Sequence, residues 1–233
     1  MALAARGAPA EALDQLARYG ELLLEANRGV NLTGARTPEA VADQIADAFP
    51  LTGYVHGPLV DVGAGGGLPG IPLAILTGFP VTLIEGTAKK VAFLSRALYA
   101  LELDGQAVAG RAETLAHQPA YRSGFRHATA RAVGSGPTVA ELTLPFLEVG
   151  GTALLQRGRL PEDERNATRD AALILGGEVT EELALAGERC LLVITLRTQS
   201  AARFPRRVGV PEKRPLCLDL RQNVYRETSG GLG

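Results

Sequence analysis

The densest chemical signal in the chain is the run Asp61-Val-Gly-Ala-Gly-Gly-Gly-Leu-Pro-Gly70. Its glycines at 65, 67 and 70 have the Gly-x-Gly-x-x-Gly spacing, and residues without a Cβ let the backbone turn sharply against a ligand. Glu85 ends the next apolar run, where a carboxylate suits ribose hydroxyls. To this point a dinucleotide and S-adenosylmethionine fit equally, and a tight turn without any ligand is the plain alternative. Two features separate the cofactors. A pyrophosphate seeks free backbone N–H groups at a helix start, and Pro69 and Pro72 remove two of them. No Lys or Arg occurs between Asp61 and Ala88, which suits a sulfonium cation without phosphate. The turn therefore points to S-adenosylmethionine rather than NAD.

Other reactive residues are sparse. His56, His117 and His127 are scattered, Cys190 and Cys217 form neither a Cys-x-x-Cys pair nor a disulfide framework, and no metal site is expected. Arg131 ends an apolar run, as a substrate contact or as an ordinary ion pair. Lys89 and Lys90 open a helix, where cations oppose the dipole; this suggests either an anionic partner or a solvated face. Asn31 and Thr33 suit a turn as well as a functional role. The net charge is −1, so contact with a polyanion needs a local patch. One lies at RFPRRVGVPEKR, where Arg203, Arg206, Arg207, Lys213 and Arg214 stand against the single acid Glu212. It reads as an RNA clamp or as a solvated extension.

The elements that must position these residues follow from periodicity. Residues 1–57 read as a helical extension: Leu13, Leu16, Ala17, Leu23 and Leu24 form one stripe. Val41, Ile45, Ala48 and Phe49 form a second, after an N-cap at Thr37 and Pro38 at the first helical position. Residues 58–198 alternate strands and helices. Strands are expected at 59–62, 81–85, 106–109, 127–131 and 152–156. Helices are expected at 70–77, around the stripe Val91, Leu94, Leu98 and Leu101, from 111, at 139–147 and at 162–175. Two further strands, 178–185 and 190–197, are joined by a short link and form an antiparallel pair. The fold class expected is α/β, a mostly parallel seven-stranded sheet of the Rossmann-like methyltransferase type. Residues 199–233 read as a basic tail, with Ser229–Gly233 expected to be disordered. Nothing resembles a signal peptide or a membrane span of ~18 apolar residues, so a reducing cytoplasm is expected.

Five segments together carry a family resemblance. They are Val30-Asn-Leu-Thr33, the glycine turn extended by Leu68-Pro-Gly-Ile-Pro72, Lys89-Lys-Val-Ala-Phe-Leu94, Gly110-Arg-Ala-Glu113 and Ala130-Arg-Ala132; the stretch Phe204–Leu216 closes the match. The chain resembles the RsmG (GidB) family, the bacterial 16S rRNA guanine-N7 methyltransferases. The resemblance implies a class I methyltransferase that uses S-adenosylmethionine and acts on 16S rRNA or the 30S subunit. It also implies that Gly63 and Leu68 line the methionine end of the cofactor, that Glu85, Gly86 and Thr87 meet the ribose, and that Ala112 and Glu113 border the adenine. Arg131 would stand at the catalytic site and also touch the cofactor. Two departures are evident: Gln44, Asp47 and Ala48 stand where the family usually has His-x-x-Asp-Ser, and Arg157-Gly158 replaces Lys-Gly. An NAD-type oxidoreductase and a non-catalytic rRNA-binding assembly factor are the rival readings.

Overall fold

The computed structural model describes residues 2–131, 133–185 and 187–217; Ala132 of the matched segments and the expected disorder at 229–233 lie outside them. Seven strands form one sheet: β1 (Leu59–Val62), β2 (Val81–Glu85), β3 (Gly105–Ala109), β4 (Phe125–Arg131), β5 (Leu147–Arg157), β6 (Gly177–Leu185) and β7 (Arg189–Leu196). Their order is β3-β2-β1-β4-β5-β7-β6. The first five are parallel, and β7 runs antiparallel to both β5 and β6. β1 and β2 are buried along their whole length, as expected for strands covered on both faces. The sheet reverses its winding between β1 and β4, and ligands bind outside the carboxyl ends of strands at such a switch point.

Helices α1 (Leu13–Val30), α2 (Pro38–Ala46), α3 (Gly70–Thr77) and α4 (Ala88–Ala100) cover one face. Leu16, Tyr19, Leu23 and Ile45 of the N-terminal helices share a core there with Leu73, Leu83 and Leu94. The other face packs Val139, Ala140, Phe146 and Ala171 from α6 (Gly136–Thr143), the turn after it and α7 (Glu162–Ile174); the short α5 (Ala112–Leu115) lies beside them. Thr37 caps α2 as expected, its hydroxyl accepting from Ala40 N–H at 3.2 Å.

Three boundaries differ from expectation, each at a proline or glycine. α2 stops at Ala46, so Ala48 and Phe49 do not continue its stripe; Pro50 has no N–H to return to the helix. The helix expected over 139–147 begins at Gly136 and ends at Thr143, because Pro145 forces a tighter turn and Leu147 already belongs to β5. Gly150-Gly151, read as a boundary before the fifth strand, is instead an irregularity inside it. A side chain on Gly151 would come 2.8 Å from Arg126 O, and the register against β4 shifts there.

Residues 199–217 of the tail form a strap across α5, the turn after it and α6. Arg122 donates to Phe204 O at 2.8 Å and Ser200 O at 2.7 Å, and Phe204 is buried. Pro205 O accepts from His117 Nε2 at 2.7 Å. Arg206 departs from the expected RNA contacts: it turns inward onto Glu141, a carboxylate with no exposure, at 2.6–3.1 Å through its Nε and Nη2. The short α8 (Val210–Lys213) follows, with Pro211 O accepting from Thr138. Removing Arg206 leaves a buried charge unpaired. Arg206→Ala is expected to lower the free energy of unfolding by about 2–3 kcal/mol in urea titration, whereas Arg207→Ala on the exposed side should change it by less than about 0.5 kcal/mol.

Candidate functional site

The glycine turn is held by contacts that leave no room for side chains. After β1, Gly63 and Ala64 both donate to Ile84 O, at 2.9 and 3.0 Å. Gly63 has φ +70°, and a Cβ there would lie 2.8 Å from Val133. A Cβ on Gly70 would lie 2.7 Å from the Asp61 carboxylate, whose Oδ2 accepts from Gly70 N–H at 2.9 Å. From the other side, the buried Tyr19 of α1 donates its hydroxyl to Gly66 O at 2.8 Å. Glu85 closes the turn with both oxygens, Oε2 accepting from Gly65 N–H at 3.1 Å and Oε1 from Thr87 N–H at 2.8 Å.

A cavity of about 220 Å³ opens at the ends of β1 and β2, lined by Gly63, Glu85, Gly86, Ala112, Glu113 and Val133 among others. Five of the expected cofactor residues are thus brought together. Leu68 is buried in the turn, and Thr87 is joined to the cavity through Glu85. Glu113 is held low in its titration although burial opposes this, because it accepts from Gly209 N–H of the strap at 3.0 Å and faces Arg111. Arg131 does not line this cavity. It faces a second one of about 400 Å³, shared with Asp47, Gln156, Arg157 and Arg189, at the ends of β4 and β5. There Arg131 lies 3.5 Å from Asp47 Oδ2, and Arg189 holds the other carboxylate oxygen. The ion-pair reading of Arg131 therefore holds, at a cavity wall. Asn31 takes the left-handed conformation that ends α1, and Thr33 accepts from Ala35 N–H at 3.2 Å, so this pair builds a turn.

Several contributors escape sequence reasoning. The buried Asn27 clamps the 32–35 loop, accepting from Leu32 and Thr33 N–H and donating to Thr33 O and Ala35 O. Gln156 and Arg189 reach the second cavity from β5 and β7, and only three-dimensional pairing shows it. Asp61 carried one signal, its place directly before the glycines. Its carboxylate is fully buried with Oδ1 unpartnered, and that burial pushes its pKa from 3.8 up to about 7. Among the described residues, no group of His, Cys, Asp and Glu could hold a metal ion. Nor is any helix there long and apolar enough to cross a membrane.

A family model described as rRNA small subunit methyltransferase G matches residues 12–192. The chain belongs to that family, GidB. Curated relatives include the Ribosomal RNA small subunit methyltransferase G of Rubrobacter xylanophilus, 40% identical over 88% of this chain and 84% of the relative. The protein of the same name from Deinococcus deserti is 39% identical over 89% and 90%. Among solved structures, a branched-chain polyamine synthase from Thermus thermophilus, in complex with N4-aminopropylspermidine and 5'-methylthioadenosine, superposes with a TM-score of 0.56. It is 18% identical and covers 79% of this chain and 65% of that one, a likeness of fold alone. Membership in the GidB family makes the chain an rRNA methyltransferase by descent and removes the oxidoreductase alternative.

The family's glycine turn thus rests on a carboxyl group whose charge the fold resists. Asp61 binds its proton more tightly folded than unfolded, so the stability contributed by its neutral form is complete below about pH 4 and is lost as pH rises toward 7. Urea titrations of the cofactor-free protein from pH 4 to pH 8 should show stability falling across that window relative to Asp61→Asn. Parallel curves for the two proteins would contradict the assignment.

Proposed function

We propose that this protein transfers the methyl group of S-adenosylmethionine to N7 of a guanine in 16S rRNA of the small subunit. The observation that carries the reading is the pocket around the glycine turn, where the two carboxylates Glu85 and Glu113 outnumber the single cation Arg111 and the turn itself carries no Lys or Arg. Asp61 lies beneath it with one unsatisfied oxygen, and Glu85 stands at its rim with both oxygens on exchangeable backbone N–H groups. These residues fit a cofactor that carries a sulfonium, an ammonium and a ribose diol. Glu85, with Gly86 and Thr87, would hold the ribose; Gly63 and Leu68 would border the methionine end; Ala112 and Glu113 would border the adenine. A neighbouring cation favours the ionised form of Asp61, so binding offsets the cost of burying its charge. When bound, the cofactor supplies an electrophilic methyl carbon.

Guanine N7 presents an in-plane lone pair and carries no proton, so the reaction needs no general base. Catalysis rests on holding N7 in line with the methyl carbon and excluding water. Arg131 sits at the cavity adjoining the cofactor cleft and serves as the residue that orients the target nucleotide. Arg203, Arg207, Lys213 and Arg214 are exposed along the strap and supply a local positive surface on a chain of net charge −1. Arg203 lies over the Phe204 ring at 5.0 Å, which fixes its direction.

The test is to map N7-methylguanine on 16S rRNA from cells with and without the gene. One site should lose its methyl group in the deletion strain, and an unchanged map would overturn the reading. Calorimetry should show S-adenosylmethionine binding, with Glu85→Gln weakening it about tenfold to a hundredfold.

A further inference from the structure

The second cavity contains an anomaly that the cofactor pocket does not explain. Gln156 is only 8% exposed, and its amide is half used: Nε2 donates to Asp47 O at 2.5 Å, while Oε1 has no partner. A buried acceptor left empty costs about 1–3 kcal/mol, and such groups persist where a ligand completes them. Beside it lies the Asp47 carboxylate, paired with Arg131 and Arg189 yet retaining unused lone pairs. Two residues with acceptor capacity therefore line the same cavity, and the bond from Gln156 Nε2 to the Asp47 backbone carbonyl joins their chain segments. Arg157 is locked behind them, its guanidinium on Gly134 O at 2.5 Å and on Glu164 at 2.9 Å.

If guanine is the methyl acceptor, as proposed above, its chemistry matches this arrangement. Guanine is the purine whose Watson–Crick edge carries two adjacent donors, N1–H and the exocyclic amine, followed by the acceptor O6. We propose that this cavity receives the Watson–Crick edge of the target base, with Gln156 Oε1 and the Asp47 carboxylate accepting from the two donors and Arg131 donating to O6. The cavity adjoins the cofactor cleft: Arg131 and Gly134 line one, and Val133 lines the other. A base held by its Watson–Crick edge presents N7 on the opposite side of the ring, free to face that cleft. Its volume of about 400 Å³ is in the range of small-ligand pockets.

The same acceptors discriminate. Adenine offers a lone pair at N1 and a C–H at C2, so it satisfies neither oxygen and sets one lone pair against another. A site built to hydrogen-bond its substrate rejects an analogue that leaves buried groups unpaired. Methylation at N7 also withdraws electrons from the ring and makes N1–H and the amine stronger donors. Bonds to Gln156 and Asp47 consequently tighten as the methyl group transfers, which is the condition for stabilising a transition state.

The experiment compares wild type with Gln156→Leu on 30S particles carrying either guanine or adenine at the methylated position. It reads kcat/KM and, with S-adenosylhomocysteine bound, the Kd for each particle. Wild type should strongly prefer guanine in both measurements. Gln156→Leu should narrow the guanine-to-adenine ratio by about tenfold or more while its affinity for S-adenosylmethionine stays unchanged. A variant that is slower on both particles with the ratio intact would show Gln156 to be a mere prop for Asp47 and would overturn the proposal. Gln156→Glu keeps the acceptor and loses the donor, so it should retain more of the guanine preference than Gln156→Leu; equal loss would also overturn it. The proposed function fails separately, if wild type transfers no methyl group to the guanine particle; the Kd ratios still decide the fate of the pocket.

Discussion

The bond from Gly70 N–H to the buried Asp61 carboxylate ties the end of β1 to the first turn of α3, and the geometry of the cofactor cleft depends on it. The approach is so close that any Cβ on Gly70 would strike the carboxylate or Leu83, each at 2.7 Å. The turn in between must then reverse over a few residues, which it does with positive φ at Gly63, Gly65 and Gly67. Its outer side is pinned in turn by Tyr19, whose hydroxyl reaches Gly66 O from the N-terminal helices. Leu23 lies where a Gly66 side chain would be, at 2.9 Å from its Cβ position. The helices ahead of the sheet are therefore part of the cofactor site, as the mould against which the glycine loop is formed. Burying Asp61 is unfavourable for its charge, and a cationic ligand above the loop relieves that cost.

A second carboxylate, Glu113, connects the cofactor cleft to the strap. It lines the cleft and also accepts from Gly209 N–H, so one side chain borders both the cleft and the segment bearing the exposed arginines. The buried Glu141–Arg206 pair sets the strap's register a few residues earlier. A basic stretch thus divides its labour by side-chain direction: Arg206 is an anchor, and its neighbours Arg203 and Arg207 remain exposed. The five cations are equivalent in sequence, since only the position of Glu141 on α6 decides which of them turns inward.

Much of the sheet was legible because its strands are short apolar runs closed by Gly or Pro, and β1, β2 and α3 lie where periodicity puts them. That the glycines and Glu85 meet at one cavity was legible for a related reason: they act locally, within one strand–turn–helix unit. The errors arose where local signals compete. Gly150-Gly151 has the composition of a break yet serves as an irregularity in a continuous strand, and Pro145 ends a helix whose apolar stripe runs on. Of the second cavity only single residues were legible, Arg131 above all, and not their convergence. Its walls come from the turn after α2 and from β4, β5, β6 and β7, and no spacing in the chain reports that Asp47, Gln156 and Arg189 converge across a sheet whose last strands reverse direction.

That convergence also gives meaning to the positions where the chain departs from its family's usual residues. Gln44, in place of histidine, is engaged by the Thr33 hydroxyl at 2.5 Å and so fastens α2 to the loop that Asn27 clamps. Ala48, in place of serine, is wholly buried in the core and contributes no unsatisfied hydroxyl. Arg157, in place of lysine, uses its fork to bridge Gly134 O and Glu164 together, and Glu164 in turn accepts from Gly136 N–H at the start of α6. A planar guanidinium spans two such partners in a fixed geometry where an ammonium acts as a point charge. Each departure is thus absorbed into a hydrogen bond or the core, and Arg157 in addition holds Gly134, beside the wall between the two cavities. Two distinct cavities at the carboxyl ends of the strands, in a chain that belongs to a methyltransferase family, favour a working methyltransferase over a non-catalytic assembly factor.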